Sequence, residues 1–132
     1  MFIENDINCF TLSRGDYFEY NININCGTKF EPKQYKLEND DRLYCAIIQP
    51  GESFENAIIR KTYDNSNFID EKGTIKFTLN PPDTEYLKTG KYYFTIKLLY
   101  EKTKVCTILP MKDFWITGTE NSVRECKLDK GW

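Results

Sequence analysis

From residue 17 to residue 26 polar and apolar side chains alternate without a break. Phe18, Tyr20, Ile22, Ile24 and Cys26 form one set; Tyr17, Glu19, Asn21, Asn23 and Asn25 form the other. A period of two is that of a β-strand, whose successive side chains point to opposite faces. The pattern predicts a strand of nine or ten residues, apolar on one side. Ile75, Phe77 and Leu79 repeat it against Thr74, Lys76 and Thr78, and Tyr92, Phe94, Ile96 and Leu98 against Tyr93, Thr95 and Lys97.

Shorter runs fill the gaps. Ile7–Leu12 reads as a leading strand, Leu43–Gln49 as one stopped by Pro50-Gly51, and Ala57–Tyr63 as one ending in the turn-rich Asp64-Asn65-Ser66-Asn67. Lys104–Leu109 and Asp113–Thr117 read as a single edge strand interrupted at Pro110, which lacks the N–H that a central strand needs. Helix signals are confined to Pro82–Lys88, where Asp83 or Thr84 is placed to cap one turn and Gly90 to stop it. Residues 27–41 read as a polar loop. The expected fold is an all-β, immunoglobulin-like antiparallel sandwich of seven to eight strands over residues 1–118, with a polar tail at 119–132. A chain of 132 residues suits one such domain.

Two local motifs refine this. In Leu87-x-x-Gly90-x-Tyr92-x-Phe94 the glycine permits a tight crossover and Leu87 plugs it, while the Tyr92 hydroxyl reaches back to a carbonyl. This is the pattern of the tyrosine corner at the start of strand F in immunoglobulin-like domains. Antibody domains carry a cysteine where Phe94 stands, so Phe94 is expected to fill that space by packing. The second motif, Arg14-Gly15-Asp16, has the form of an adhesion tripeptide. Its place directly before an alternating strand predicts a turn instead, with Gly15 at the bend, Asp16 bonded to local backbone and Arg14 in water.

The chain has no histidine, which removes Ser-His-Asp and Cys-His catalysis and histidine metal sites. No Gly-x-Gly-x-x-Gly or Gly-Lys-Ser/Thr phosphate loop occurs, and residues 64–70 lack the glycine and glutamate of a calcium loop. Glu38-Asn39-Asp40-Asp41 reads as a solvated turn. These features predict a protein that is not an enzyme and takes no metal or cofactor. A formal net charge of −2 without a basic cluster argues against nucleic acid. No run approaches the about 20 apolar residues of a membrane span, and the N-terminus lacks a signal-peptide pattern. Five cysteines without C-x-x-C spacing are expected to be free thiols, in a chain assembled in a reducing compartment.

What remains is a binding or structural module. Its candidate contact residues are the outward aromatics Tyr17, Tyr93 and Trp115, with Trp132 at the terminus, because Tyr and Trp are enriched at binding hot spots. Each of the first three has an equal claim to covering a layer of its own domain, and Trp132 to belonging to a mobile terminus.

Read along its length, the chain resembles the immunoglobulin-like domains of phage virion proteins and is similar to the N-terminal domain of baseplate upper proteins. The matching residues are Arg14-Gly15-Asp16 before a strand, then Asp41-x-Leu43-x-Cys45-x-Ile47-x-Gln49-Pro50, then Asp70-Glu71-Lys72-Gly73-Thr74-Ile75-x-Phe77. The most specific stretch runs from Leu79 to Leu98 around Pro82-Asp83-Thr84-x-x-Leu87-x-x-Gly90-x-Tyr92, followed by Thr107–Pro110 and Phe114-x-Ile116. The resemblance covers residues 5–118. It implies a non-enzymatic virion part, made in the host cytoplasm and joined to other virion proteins or to its own copies in a tail, baseplate or head-decoration assembly. Baseplate upper proteins continue into linker helices and further domains; a chain ending at 132 is expected to be a free-standing decoration or adaptor protein. The alternative from another class is a carbohydrate-binding or adhesion module of a bacterial surface.

Overall fold

The computed structural model describes residues 2–4, 9–28 and 30–118. It is mostly β-structure, with ten strands: β1 Phe2–Ile3, β2 Cys9–Ser13, β3 Phe18–Ile22, β4 Ile24–Gly27, β5 Pro32–Tyr35, β6 Arg42–Ile48, β7 Ile59–Tyr63, β8 Ile75–Leu79, β9 Gly90–Tyr100 and β10 Lys104–Thr117. One α-helical turn, α1, spans Pro81–Thr84. Prolines at its start need no intrahelical donor. The cap is Asn80, one turn earlier than either expected candidate, and Asp83 reaches back to accept from the Asn80 N–H at 2.7 Å.

The largest sheet has the order β2-β10-β9-β6-β7. Every neighbouring pair in it is antiparallel except β2 and β10, which run parallel from Cys9↔Asp113 to Ser13↔Thr117. Opposite it lie the β3–β8 pair and a three-stranded sheet ordered β1-β4-β5. The arrangement is sandwich-like, and the residues of period two fill the space between layers. Ile22, Phe77, Phe94, Ile96, Leu98 and Phe114 are all completely buried. Phe94 sits at the centre, with ring centroids 4.8 Å from Phe77, 5.2 Å from Phe10 and 6.0 Å from Phe114.

Several expectations are corrected. The alternating run at 18–26 is two strands, because Asn23 leaves the ladder. Its Oδ1 accepts from Thr74 Oγ1 at 2.7 Å and from Gln34 Nε2 at 3.3 Å. The chain therefore pairs with β8 before Asn23 and with β1 and β5 after it. The side-chain period survives the break, so sequence pattern alone could not register it. Residues 27–41 are not all loop, since β5 folds back on β4. The 104–117 region is one continuous strand and not an edge: its second half lies between β9 and β2. Pro110 is accommodated within the second of two register shifts, the one between Leu109 and Lys112, before the β2 pairing begins at Asp113, where no ladder donor is required of it.

The Glu38–Asp41 run is not wholly solvated either. Asp41 is only 3% exposed and accepts from the Tyr35 hydroxyl and from the Glu38 N–H at 2.9 Å. Burial, and then this bond, push the Tyr35 hydroxyl pKa upward, so it stays a donor. Phe2 of β1 packs edge-on between Tyr35 and Tyr100, with centroids 5.0 and 4.9 Å away.

Cys26, Cys45 and Cys106 are free, and burial raises the thiol pKa of both Cys45 and Cys106, which makes them packing residues. Cys9 departs from the expected free thiol and is disulfide-bonded.

At the lateral edge, Lys61 of β7 points between the layers. Its Nζ donates to the Thr78 carbonyl at 2.8 Å and pairs with Asp83 at 3.1 Å, joining the large sheet to β8 and α1. Burial pushes the Asp83 carboxyl up, but the Asn80 N–H and Lys61 outweigh it and hold the carboxyl below its ordinary value of 3.8. A depressed carboxyl contributes stability above its unfolded pKa and loses it as pH falls through the folded one. Wild-type melting temperature is therefore expected to fall more steeply below about pH 4 than that of Asp83→Asn, measured by circular dichroism. Parallel curves would remove this pair from the acid response.

Candidate interaction surface

The corner motif folds as its residues require. Gly90 has φ +143°, a conformation that L side chains rarely adopt. The Tyr92 ring is buried, and its hydroxyl donates to the Lys88 carbonyl at 2.7 Å. Leu87 packs against the core from a half-buried position. Removing the hydroxyl in Tyr92→Phe is expected to cost about 1 kcal/mol with little change in the far-ultraviolet spectrum, as read by urea denaturation.

The Arg14-Gly15-Asp16 turn docks onto this same corner. Gly15 has φ +84°, and its N–H donates to Oγ1 of the fully buried Thr84 at 3.0 Å. The Asp16 N–H donates to the Ser13 carbonyl at 3.0 Å, closing the turn. The expectation that Arg14 lies free in water is corrected: it is half-buried, and its Nη1 donates to the Leu87 carbonyl at 3.2 Å. Its own N–H donates to the Thr117 carbonyl at 2.8 Å. The tripeptide thus ties the end of β2 to the end of β10 and to the 84–87 turn. Arg14→Ala removes one of these ties, contrary to the near-neutral outcome that an arginine in water would give.

The outward aromatics do not form one cluster. Strand register puts Tyr93 of β9 and Trp115 of β10 on the outer face of the five-stranded sheet, at diagonal positions, since Asp113 is opposite Tyr93 and Lys91 is opposite Trp115. Both are half-buried, and the Lys91 ammonium lies 5.3 Å from the Tyr93 ring centroid. Tyr17 lies apart, before β3 in the opposite layer; it is 52% exposed, and its hydroxyl donates to Glu19 at 3.1 Å. Trp132 and the 119–132 tail lie outside the described residues.

Farther along the outer face is a feature that sequence reasoning missed. A pocket of about 320 Å³ lies over β6 and β7, lined by Tyr44, Ala46, Phe54, Glu55, Arg60 and Thr62 together with the intervening Cys45 and Lys61. Phe54 belongs to a single 3-10 turn, Phe54–Asn56, in the connection between those strands, and the Lys97 ammonium lies 5.7 Å from its ring centroid. The period-two alternation of 57–63 was the available signal for Arg60 and Thr62. Nothing local placed Phe54 beside them, because the contact depends on how the loop folds over the sheet.

Among the described residues no group of three or more His, Cys, Asp or Glu side chains is placed to hold a metal ion, and no helix is long and apolar enough to cross a membrane. Comparison of the sequence with protein-family models and with curated proteins returns no match.

Proposed function

We propose that this chain is a non-enzymatic, immunoglobulin-like structural module of a phage particle, acting through contacts with other virion proteins or with its own copies. The observation that carries this reading is the resemblance along residues 5–118, most specific between Leu79 and Leu98. The strand arrangement supports its fold component. The leading segment is divided, with β1 on one layer and β2 parallel to the last strand on the other, and a tyrosine corner lies at the start of β9. The expected exclusion of histidine-dependent chemistry is consistent with a role in binding. Peptide mass spectrometry of purified particles, with immunogold labelling, tests the proposal: the chain should occur at fixed stoichiometry. Particles that lack it would end this reading.

A glycan-binding role has one observation in its favour, the shared sheet face of Tyr93 and Trp115. A glycan-array signal lost on Trp115→Ala would establish it in place of the virion reading.

A further inference from the structure

Cys9 is disulfide-bonded, and the cysteine count identifies its partner. The chain has cysteines at 9, 26, 45, 106 and 126. Cys26, Cys45 and Cys106 are free thiols, which within one chain leaves Cys126. The fold gives such a bond a place. The core-facing residues of β2 are Phe10 and Leu12, so Cys9 belongs to the opposite, outer face of the large sheet, with Thr11 and Ser13. It is half-buried at that position.

β2 is also an outermost strand of that sheet. β10 pairs with one side of it, and the other side has no partner strand among the described residues. An unpaired edge of this kind is a template for another strand unless something covers it. β10 ends at Thr117 beside Ser13, and Cys9 lies back along β2 beside Asp113. At the rise of a strand that return is about 13 Å. Residues 118–126, fully extended, reach roughly 30 Å. The segment is long enough to round the end of β2 and lie along its open edge.

We infer that Cys9 and Cys126 form an intrachain disulfide that straps residues 119–126 over the β2 edge, closed by small-molecule disulfides and opened by small-molecule thiols. In closing, one of the two cysteines, as its thiolate, attacks the small disulfide, forms a mixed disulfide and expels one thiolate. The other cysteine then attacks the protein sulfur of that mixed bond and expels the second thiolate. The cysteine pair loses two electrons and two protons, and the small disulfide becomes two thiols. Reduction runs the same exchange backwards and frees both the segment and the edge, so a single redox step uncovers a strand-pairing surface. The virion reading is not needed for this device.

The test uses the full chain, oxidised with glutathione disulfide, alkylated, and digested without reduction after the monomer is isolated by non-reducing electrophoresis. Mass spectrometry is expected to find the Cys9 peptide joined to the Cys126 peptide. In limited proteolysis of the folded protein, dithiothreitol should speed tryptic cleavage after Arg124 by roughly fivefold or more. It should also lower the melting temperature by about 10 °C, because the bond closes a loop of most of the chain. Cys126→Ser should show both changes without reductant, and Cys106→Ser should keep the linked peptide and its response to dithiothreitol. If Cys126→Ser does not fold, wild type with and without dithiothreitol makes the same comparison. Alkylated, unlinked Cys9 and Cys126 after oxidation, or Cys9 joined to another cysteine, would overturn the pairing. A link present only in a dimer would replace the strap with a bond between copies. Cleavage after Arg124 that reduction leaves unchanged would overturn the covering of the edge.

Discussion

Phe94→Ala is expected to destabilise the domain by about 4 kcal/mol, within the range for truncating a buried aromatic. Phe94 is completely buried, and its ring meets Phe10, Tyr20, Phe77 and Phe114, which come from four other strands in both layers. Neighbours on so many elements cannot all move inward at once, so most of the cavity should persist. A loss of this size takes much of the roughly 5–15 kcal/mol that a single domain has in total. Urea denaturation measures it directly. A loss under about 2 kcal/mol would mean that the layers collapse onto the site, and the picture of Phe94 as the common contact would be wrong. Phe94→Leu, which keeps much of the volume, should recover more than half of the deficit.

The second large effect is expected at Gly73. This residue is buried with φ +94°, and a Cβ there would lie 2.7 Å from Lys36 Cγ and 3.2 Å from Lys36 Cα. The first contact can be relieved by moving a flexible side chain, whereas the second requires the backbone after β5 to shift. Adding backbone strain to this overlap, Gly73→Ala should cost on the order of 3 kcal/mol. Gly51 is the matched control: its φ is +86°, but nothing lies within 4 Å of its virtual Cβ. Gly51→Ala should therefore cost only the strain, about 1 kcal/mol. Equal losses at the two positions would show that steric contact with Lys36 is not the deciding factor.

What the sequence made legible was whatever the side-chain period controls. The apolar residues of the alternating runs at 75–79 and 92–98 face the core as their spacing demands, because burial of one face is a local consequence of strand geometry; Thr95, expected outside, is buried as well, because its hydroxyl donates to the Leu109 carbonyl at 2.8 Å. The corner was legible for a related reason: Gly90, Tyr92 and the Lys88 carbonyl are close neighbours in the chain. Contacts between segments distant in sequence were not legible. Asn23 ends β3 through Thr74, and Arg14 finds Leu87; both are polar residues whose alternation or turn signal agreed with a simpler reading. Asp41 looked like one acid among several because its partner Tyr35 lies in a strand that had itself been read as loop. The pocket over β6 and β7 was hidden for the same reason, since its aromatic wall comes from a connection with no period of its own.

The parallel alignment of β2 with β10 has a mechanical meaning. The chain enters this pair at Cys9, beside Asp113, and leaves it at Thr117, beside Ser13. Tension applied at those two points would pull the strands past each other along their length, and the ladder between them would be loaded all at once. An antiparallel pair gripped at one end would instead open rung by rung. The tie from the Arg14 N–H to the Thr117 carbonyl lies along the same seam and shares the load. Force applied at Cys9 and Thr117 therefore meets this sheet in its most resistant direction.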